Sequence, residues 1–117
     1  MQGKRLDRVN QLLKEEISTL LQRELKDPRL GFVTVTEVET SQDLRTAKVF
    51  VSVLGNDAQW AASLAGLTSA RGFVRNWLRD HLDLRITPDL SFRADRSMEH
   101  AARIQQLLKH VDEAPEP

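Results

Sequence analysis

Residues 32–54 read FVTVTEVETSQDLRTAKVFVSVL, and this stretch decides the fold class. Its first part, Phe32 to Thr40, is crowded with the β-branched residues Val33, Thr34, Val35, Thr36, Val38 and Thr40. Such side chains crowd a helical turn but pack well on a pleated surface, so the segment predicts a strand. From Ala47 to Leu54, Ala47, Val49, Val51 and Val53 recur at period two, which puts them on one face of a second strand. Between the two lies Ser41-Gln42-Asp43-Leu44-Arg45, a polar connection of hairpin length, so antiparallel pairing is expected.

Helical spacing flanks this hairpin on both sides. Towards the N-terminus, Leu6, Val9, Leu13, Ile17 and Leu20 recur at steps of three or four, predicting an amphipathic helix from Lys4 to Lys26. Asp27-Pro28 ends it, because the residue before proline is pushed out of the α region, and Gly31 permits the chain to reverse. After the hairpin, Asp57 is placed to cap a helix carrying Trp60, Ala61, Leu64 and Leu67. A second helical run with Phe73, Val74, Trp77, Leu78 and Leu82 follows, and Gly72 lowers helix propensity between them. Two helices meeting at Ala70-Arg71-Gly72 are therefore expected. Beyond Pro88, Leu90, Phe92 and Ala94 alternate with Ser91, Arg93 and Asp95 as a third strand, and Ser97 is placed to cap a last helix bearing Met98, Ala101, Ile104, Leu107 and Leu108.

A chain of 117 residues with 40% hydrophobic and 29% charged residues is the size and composition of one globular domain. The expectation is a single domain over residues 1–111 with a disordered acidic tail over 112–117. Met1 to Asp7 carry charge and no apolar run, and nowhere do the ~18 continuous apolar residues of a membrane span occur, so a cytoplasmic, membrane-free address is expected. Without cysteine there is no disulfide, thiolate-bound metal or cysteine nucleophile.

Signs of catalysis are weak. His81, His100 and His110 lie on different elements without metal-ligand spacing. The five glycines, Gly3, Gly31, Gly55, Gly66 and Gly72, are too dispersed for a phosphate-cradling loop. Glu15-Glu16 and Glu37/Glu39 read as solvated faces. No cofactor, no metal and no enzymatic activity are expected.

Positive charge is more informative. With 17 basic and 17 acidic residues the chain exerts no net pull on a polyanion, so any nucleic-acid binding must come from a local basic face. Arg71, Arg75 and Arg79 stand four apart and form a ridge on one helix face. Lys4, Arg5 and Arg8 open the first helix, where the dipole disfavours cations. Arg45 and Lys48 flank the hairpin, and Arg85 precedes the third strand. If these groups converge they make a phosphate-binding face; alternatively they are solubilising charges, with Asp80 and Asp83 compensating the ridge. The aromatic residues read as core, with Phe50, on the other phase of its strand, the exception.

The order helix, strand, strand, helix, helix, strand is that of the type II KH domain, an α+β fold with helices covering a three-stranded sheet. Several stretches resemble the ribosome-binding factor A family in particular. They are Lys26-Asp27-Pro28-Arg29-Leu30-Gly31, then Ser41-Gln42-Asp43-Leu44 with Ala47-Lys48-Val49-Phe50-Val51, and then Gly72-Phe73-Val74-Arg75. Leu84-Arg85-Ile86 with Pro88, Leu90, Phe92, Asp95 and Ser97 completes a match from about Leu6 to Leu108.

The resemblance implies a type II KH-like domain with a C-terminal helix, in which Ala70-Arg71-Gly72 forms an interhelical kink where other KH domains carry a Gly-x-x-Gly loop. It implies an assembly factor that binds 16S rRNA within the immature 30S ribosomal subunit and assists its late maturation and 5′-end processing. It also implies release by a GTPase on the subunit, a monomeric protein and a part in cold adaptation. The alternative is a protein interaction module that uses apolar faces of the first and last helices without touching RNA.

Overall fold

The computed structural model describes residues 2–25 and 27–113. The elements are α1 (Gln2–Arg23), β1 (Phe32–Thr40), β2 (Thr46–Leu54), α2 (Asp57–His81), β3 (Asp89–Ala94) and α3 (Ser97–Glu113). The sheet order is β1-β2-β3, with β1 antiparallel and β3 parallel to β2. A parallel neighbour demands a long crossover, and α2 supplies it. Three helices and a mixed three-stranded sheet, with α1 and α2 packed on one face of it, make the expected α+β class.

One side of the sheet is buried. Leu13, Ile17 and Leu20 of α1 and Leu67, Val74 and Leu78 of α2 are fully buried against Val35, Val38, Ala47, Val49, Val51 and Leu90. Each of these side chains except the Ala47 methyl contributes roughly 1.5–3 kcal/mol by leaving water. Val35 and Val38 are an odd number of residues apart, and a regular strand would turn them to opposite faces. The register slips between Val35 and Glu37, so Thr36 is the extra residue of a bulge that restores both valines to the core.

Several expectations need correction. The two helices meeting at Ala70-Arg71-Gly72 are one 25-residue helix, Asp57–His81. A single Gly costs only about 1 kcal/mol in a helix interior, and burial of Leu67 and Val74 on either side outweighs that. The cap of α2 is Asn56, not Asp57: its side chain accepts from Gln59 N–H while the Gln59 side chain accepts from Asn56 N–H. α1 ends at Arg23, and Lys26, the expected end, lies outside the described residues. Ser97 is the first residue of α3, and its N–H is accepted by the Asp95 carboxylate. α3 runs on through Asp112 and Glu113, the first two residues of the expected tail, and 114–117 lie outside the described residues.

The aromatic residues divide. Trp60 is buried, Trp77 and Phe92 pack partly buried against the core, and Phe50 is partly buried on the other sheet face. Phe32 and Phe73, read as core, are 79% and 51% exposed. Phe32 sits at the first position of an edge strand and Phe73 on the solvent side of α2, where periodicity alone does not show how much of a face is covered.

α3 stands apart from the core. Residues 100–109 are all exposed, including Ile104, Leu107 and Leu108. The radius of gyration is 17.5 Å, against about 13 Å for a compact domain of this size.

Candidate nucleic-acid interface

The ridge on α2 is tied to the segment leading into β3. Arg75 Nη2 donates to the Thr87 carbonyl at 3.1 Å, and Arg75 Nε lies 3.2 Å from Asp89 Oδ1. That second contact is off the hydrogen-bonding direction, leaving Nε buried and held by charge alone. The expected counter-charge Asp83 is thus not the partner of the ridge; Asp89 is, while Arg79 sits 3.7 Å from Asp80 in an exposed pair. Exposed pairs of this kind are worth little, and their arginines stay available to other anions.

Hydrogen bonds bring the β1–β2 turn to the same place. Asp89 N–H donates to the Arg45 carbonyl at 2.8 Å, which fixes the end of the turn against the start of β3. Within the turn, Asp43 Oδ1 accepts from Ser41 Oγ at 2.7 Å and from Arg45 N–H at 3.1 Å. The Ser41 hydroxyl, and then the Arg45 amide, hold the Asp43 carboxyl below the usual carboxylate range. Leu44, at φ 63°, occupies the left-handed region that a bulky residue rarely enters.

Adjoining clefts result, each sharing lining residues with the next. Arg71 and Arg75 flank one of about 460 Å³ with Gly72 and Asp89. Arg75 and Arg45 flank one of about 320 Å³ with Ile86 and Asp89. Ile86 also lines a third, of about 360 Å³, between Arg5 and Arg85. Five of the nine basic residues singled out from the sequence thus lie along one rim, contributed by α1, the hairpin turn, α2 and the segment before β3.

The other four stand outside these clefts. Lys4 and Arg8 are exposed on α1. Lys48 points from the sheet face away from the helices, between Glu39 and Ser91 on the neighbouring strands. Arg79 extends the α2 ridge by one turn.

Sequence reasoning missed the apolar members of the rim, Leu44 and Ile86, although a leucine in an otherwise polar turn was a usable signal. It also missed Arg96, whose guanidinium lies 4.3 Å over the Trp60 ring. Among the described residues no three His, Asp or Glu side chains are grouped to hold a metal ion. His81 has a structural place: its ring stacks on Trp77 at 4.0 Å and its Nδ1 lies 2.9 Å from the Trp77 carbonyl. No helix among the described residues is long and apolar enough to cross a membrane.

Comparison with known proteins bears on the family of the chain. A family model described as ribosome-binding factor A matches residues 5–108. The chain is 47% identical over 116 residues to ribosome-binding factor A of Halothermothrix orenii, covering 99% of this chain and 95% of the relative. It is 50% identical over 112 residues to the Desulfitobacterium hafniense protein of that name, covering 96% and 90%. Among solved structures, the crystal structure of ribosome-binding factor A from Thermus thermophilus superposes with a TM-score of 0.69 at 26% identity, covering 76% of this chain and 93% of that one. A homology model of the Thermus thermophilus protein, fitted into the cryo-EM map of a complex of 30S with ribosome-binding factor A, superposes with a TM-score of 0.62 at 28% identity, covering 74% and 90%.

Proposed function

The chain belongs to the ribosome-binding factor A family, and from that we propose that it binds the immature small ribosomal subunit and assists late maturation of 16S rRNA, including its 5′ end, without catalysing a reaction. One observation supports an RNA-binding surface most directly: Arg5, Arg45, Arg71, Arg75 and Arg85 line adjoining clefts on a protein of zero net charge. Guanidinium groups spaced along a rim match the phosphates of a folded RNA, and a neutral remainder limits non-specific attraction. The relative fitted into the 30S map supports the same partner.

The protein acts as a monomer in the cytoplasm, leaves the subunit when a GTPase acts there, and matters most in the cold. Co-sedimentation of purified protein with immature and mature small subunits tests the reading. Association with immature particles at low ionic strength, lost steeply as salt rises, is the expected result. No association at low ionic strength overturns it.

A second reading has a specific observation behind it. Met98, Ile104, Leu107 and Leu108 on α3 are each more than half exposed, an apolar surface suited to another polypeptide. Truncation before Ser97 separates the two: association with the small subunit survives if the rim carries it and is lost if α3 does.

A further inference from the structure

We propose that the cleft between the first turns of α1, the β1–β2 turn and the segment before β3 seats one unpaired nucleotide of RNA. This deepens the RNA-binding reading and rests on it. Arg5 and Arg85 line the same space of about 360 Å³ from distant parts of the chain. Neither makes a hydrogen bond or ion pair with another described side chain, unlike Arg75, Arg79, Arg29 and Arg96.

The carboxylate that shares the cleft, Asp43, has one oxygen occupied by Ser41 Oγ and Arg45 N–H, so it is tied into the turn. Asp83 lines the adjoining space of about 200 Å³, which Arg5, Leu44, Arg85 and Ile86 also line, and it forms no ion pair with either arginine. The two guanidinium groups are left to meet an anion from outside.

What separates this cleft from its neighbours is an apolar wall. Leu6, Leu44 and Ile86 line it beside Asp43, whereas the Arg71–Arg75 and Arg45–Arg75 clefts, each with the Asp89 carboxylate, have one large apolar side chain apiece, Leu90 and Ile86. Leu44 keeps φ 63° while contributing to that wall. In the adjoining space Thr40 Oγ1 is inaccessible and has no hydrogen-bond partner among the described residues.

Two cations unpaired among the described residues, beside an apolar wall and the Gln42 amide, match a nucleotide: phosphate to the arginines, base against Leu44 and Ile86, base edge to Gln42. Bases stacked in an A-form duplex cannot enter such a concavity, so the ligand is a single-stranded or bulged segment.

The experiment uses the whole protein, ¹⁵N-labelled, titrated by NMR with single-stranded RNA hexamers (hexauridylate and hexaadenylate), with an RNA duplex and with ribose 5-phosphate. The hexamers are expected to shift the amides of Leu44, Arg85 and Ile86, and the duplex and sugar phosphate to leave Leu44 in place. Combined Arg5→Gln and Arg85→Gln should weaken hexamer binding at least tenfold with the remaining amide spectrum unchanged. Leu44→Ser should weaken it with both charges kept. Hexamer shifts confined to other surfaces, or equal shifts with the duplex, overturn the proposal. If the protein still sediments with immature subunits in that case, the nucleotide seat alone has failed; if it does not, the RNA-binding reading has failed with it.

Discussion

The Trp60 indole Nε1 donates a 3.1 Å hydrogen bond to Oε1 of Glu99, joining the start of α2 to the first turn of α3. Arg96 completes the joint, 4.3 Å over the Trp60 ring and within 3.1 Å and 3.2 Å of Asp57 and Glu99. Trp60 itself is 1% exposed, so its N–H has no easy access to water.

Glu99→Ala therefore leaves a buried donor unmatched and is expected to cost about 1–2 kcal/mol in urea unfolding. Amide exchange should accelerate across residues 97–109 and stay unchanged in α1. Uniform acceleration across both helices would mean that the joint does not set the stability of α3 separately.

A pH dependence follows from Asp95. The Ser97 hydroxyl, then the Thr36 hydroxyl, then the Ser97 amide hold its carboxyl below the usual carboxylate range. Its folded-state value is thus depressed, so its stabilising effect is full above the unfolded value of about 4 and is lost as pH falls through the folded one. Asp27 and Asp43 shift in the same direction, Asp27 chiefly through its Arg29 side-chain hydrogen bond and Asp43 chiefly through the Ser41 hydroxyl. Thermal melts should show constant stability from about pH 7 to about 5 and a decline below about 4. Asp95→Asn should flatten part of that decline and, at neutral pH, cost about 1 kcal/mol, a figure kept small because the site is partly solvated.

Two glycines of α2 should respond oppositely to alanine. A Cβ at Gly72 meets nothing within 4 Å, so Gly72→Ala is expected to gain about 0.5–1 kcal/mol from helix propensity. A Cβ at Gly66 comes 3.2 Å from Leu30 Cδ2 and 3.4 Å from Arg29 Cβ, where the turn after α1 rests on the helix. Gly66→Ala should lose about 1 kcal/mol or more through forced displacement of that turn. Paired denaturation curves decide; a loss at Gly72 would show that the helix needs the glycine for a bend.

Salt dependence of subunit binding distinguishes rim from non-rim cations. Replacing Arg71 or Arg45 with Gln should lower the slope of log K against log salt by roughly 0.7–0.9 for each phosphate no longer neutralised. Arg23→Gln, at the far end of α1, should leave the slope unchanged. Equal effects at both places would mean diffuse attraction with no defined rim.

Local pattern made most elements legible. Both hairpin strands, the helical stripe Leu13-Ile17-Leu20 and the third strand follow from spacing of apolar side chains, because burial on one face imposes that spacing directly. The bulge at Thr36 was less accessible: Val35 and Val38 break the alternation, but only pairing with Val51 and Val49 shows which residue is extra. The break expected at Ala70-Arg71-Gly72 failed because a glycine weakens a helix locally while the deciding energy comes from packing on either side of it.

The candidate site was half legible. Its arginines were visible as residue types, and the ridge Arg71-Arg75-Arg79 follows from helical geometry. That Arg75 is bound to Asp89 and not Asp83, and that Arg45 meets it across Ile86, depends on where the crossover returns the chain.

Composition and periodicity by themselves determined the α+β class and the order of its strands among flanking helices, and matching strings of residues its family, since each rests on near neighbours along the chain. Which cations share a surface was decided only in three dimensions: Arg5 and Arg85 become neighbours because β3 returns parallel to β2 and α1 lies across the same sheet. Pairings between residues so distant along the chain are set by the shape of the core that separates them, and no local spacing encodes that shape.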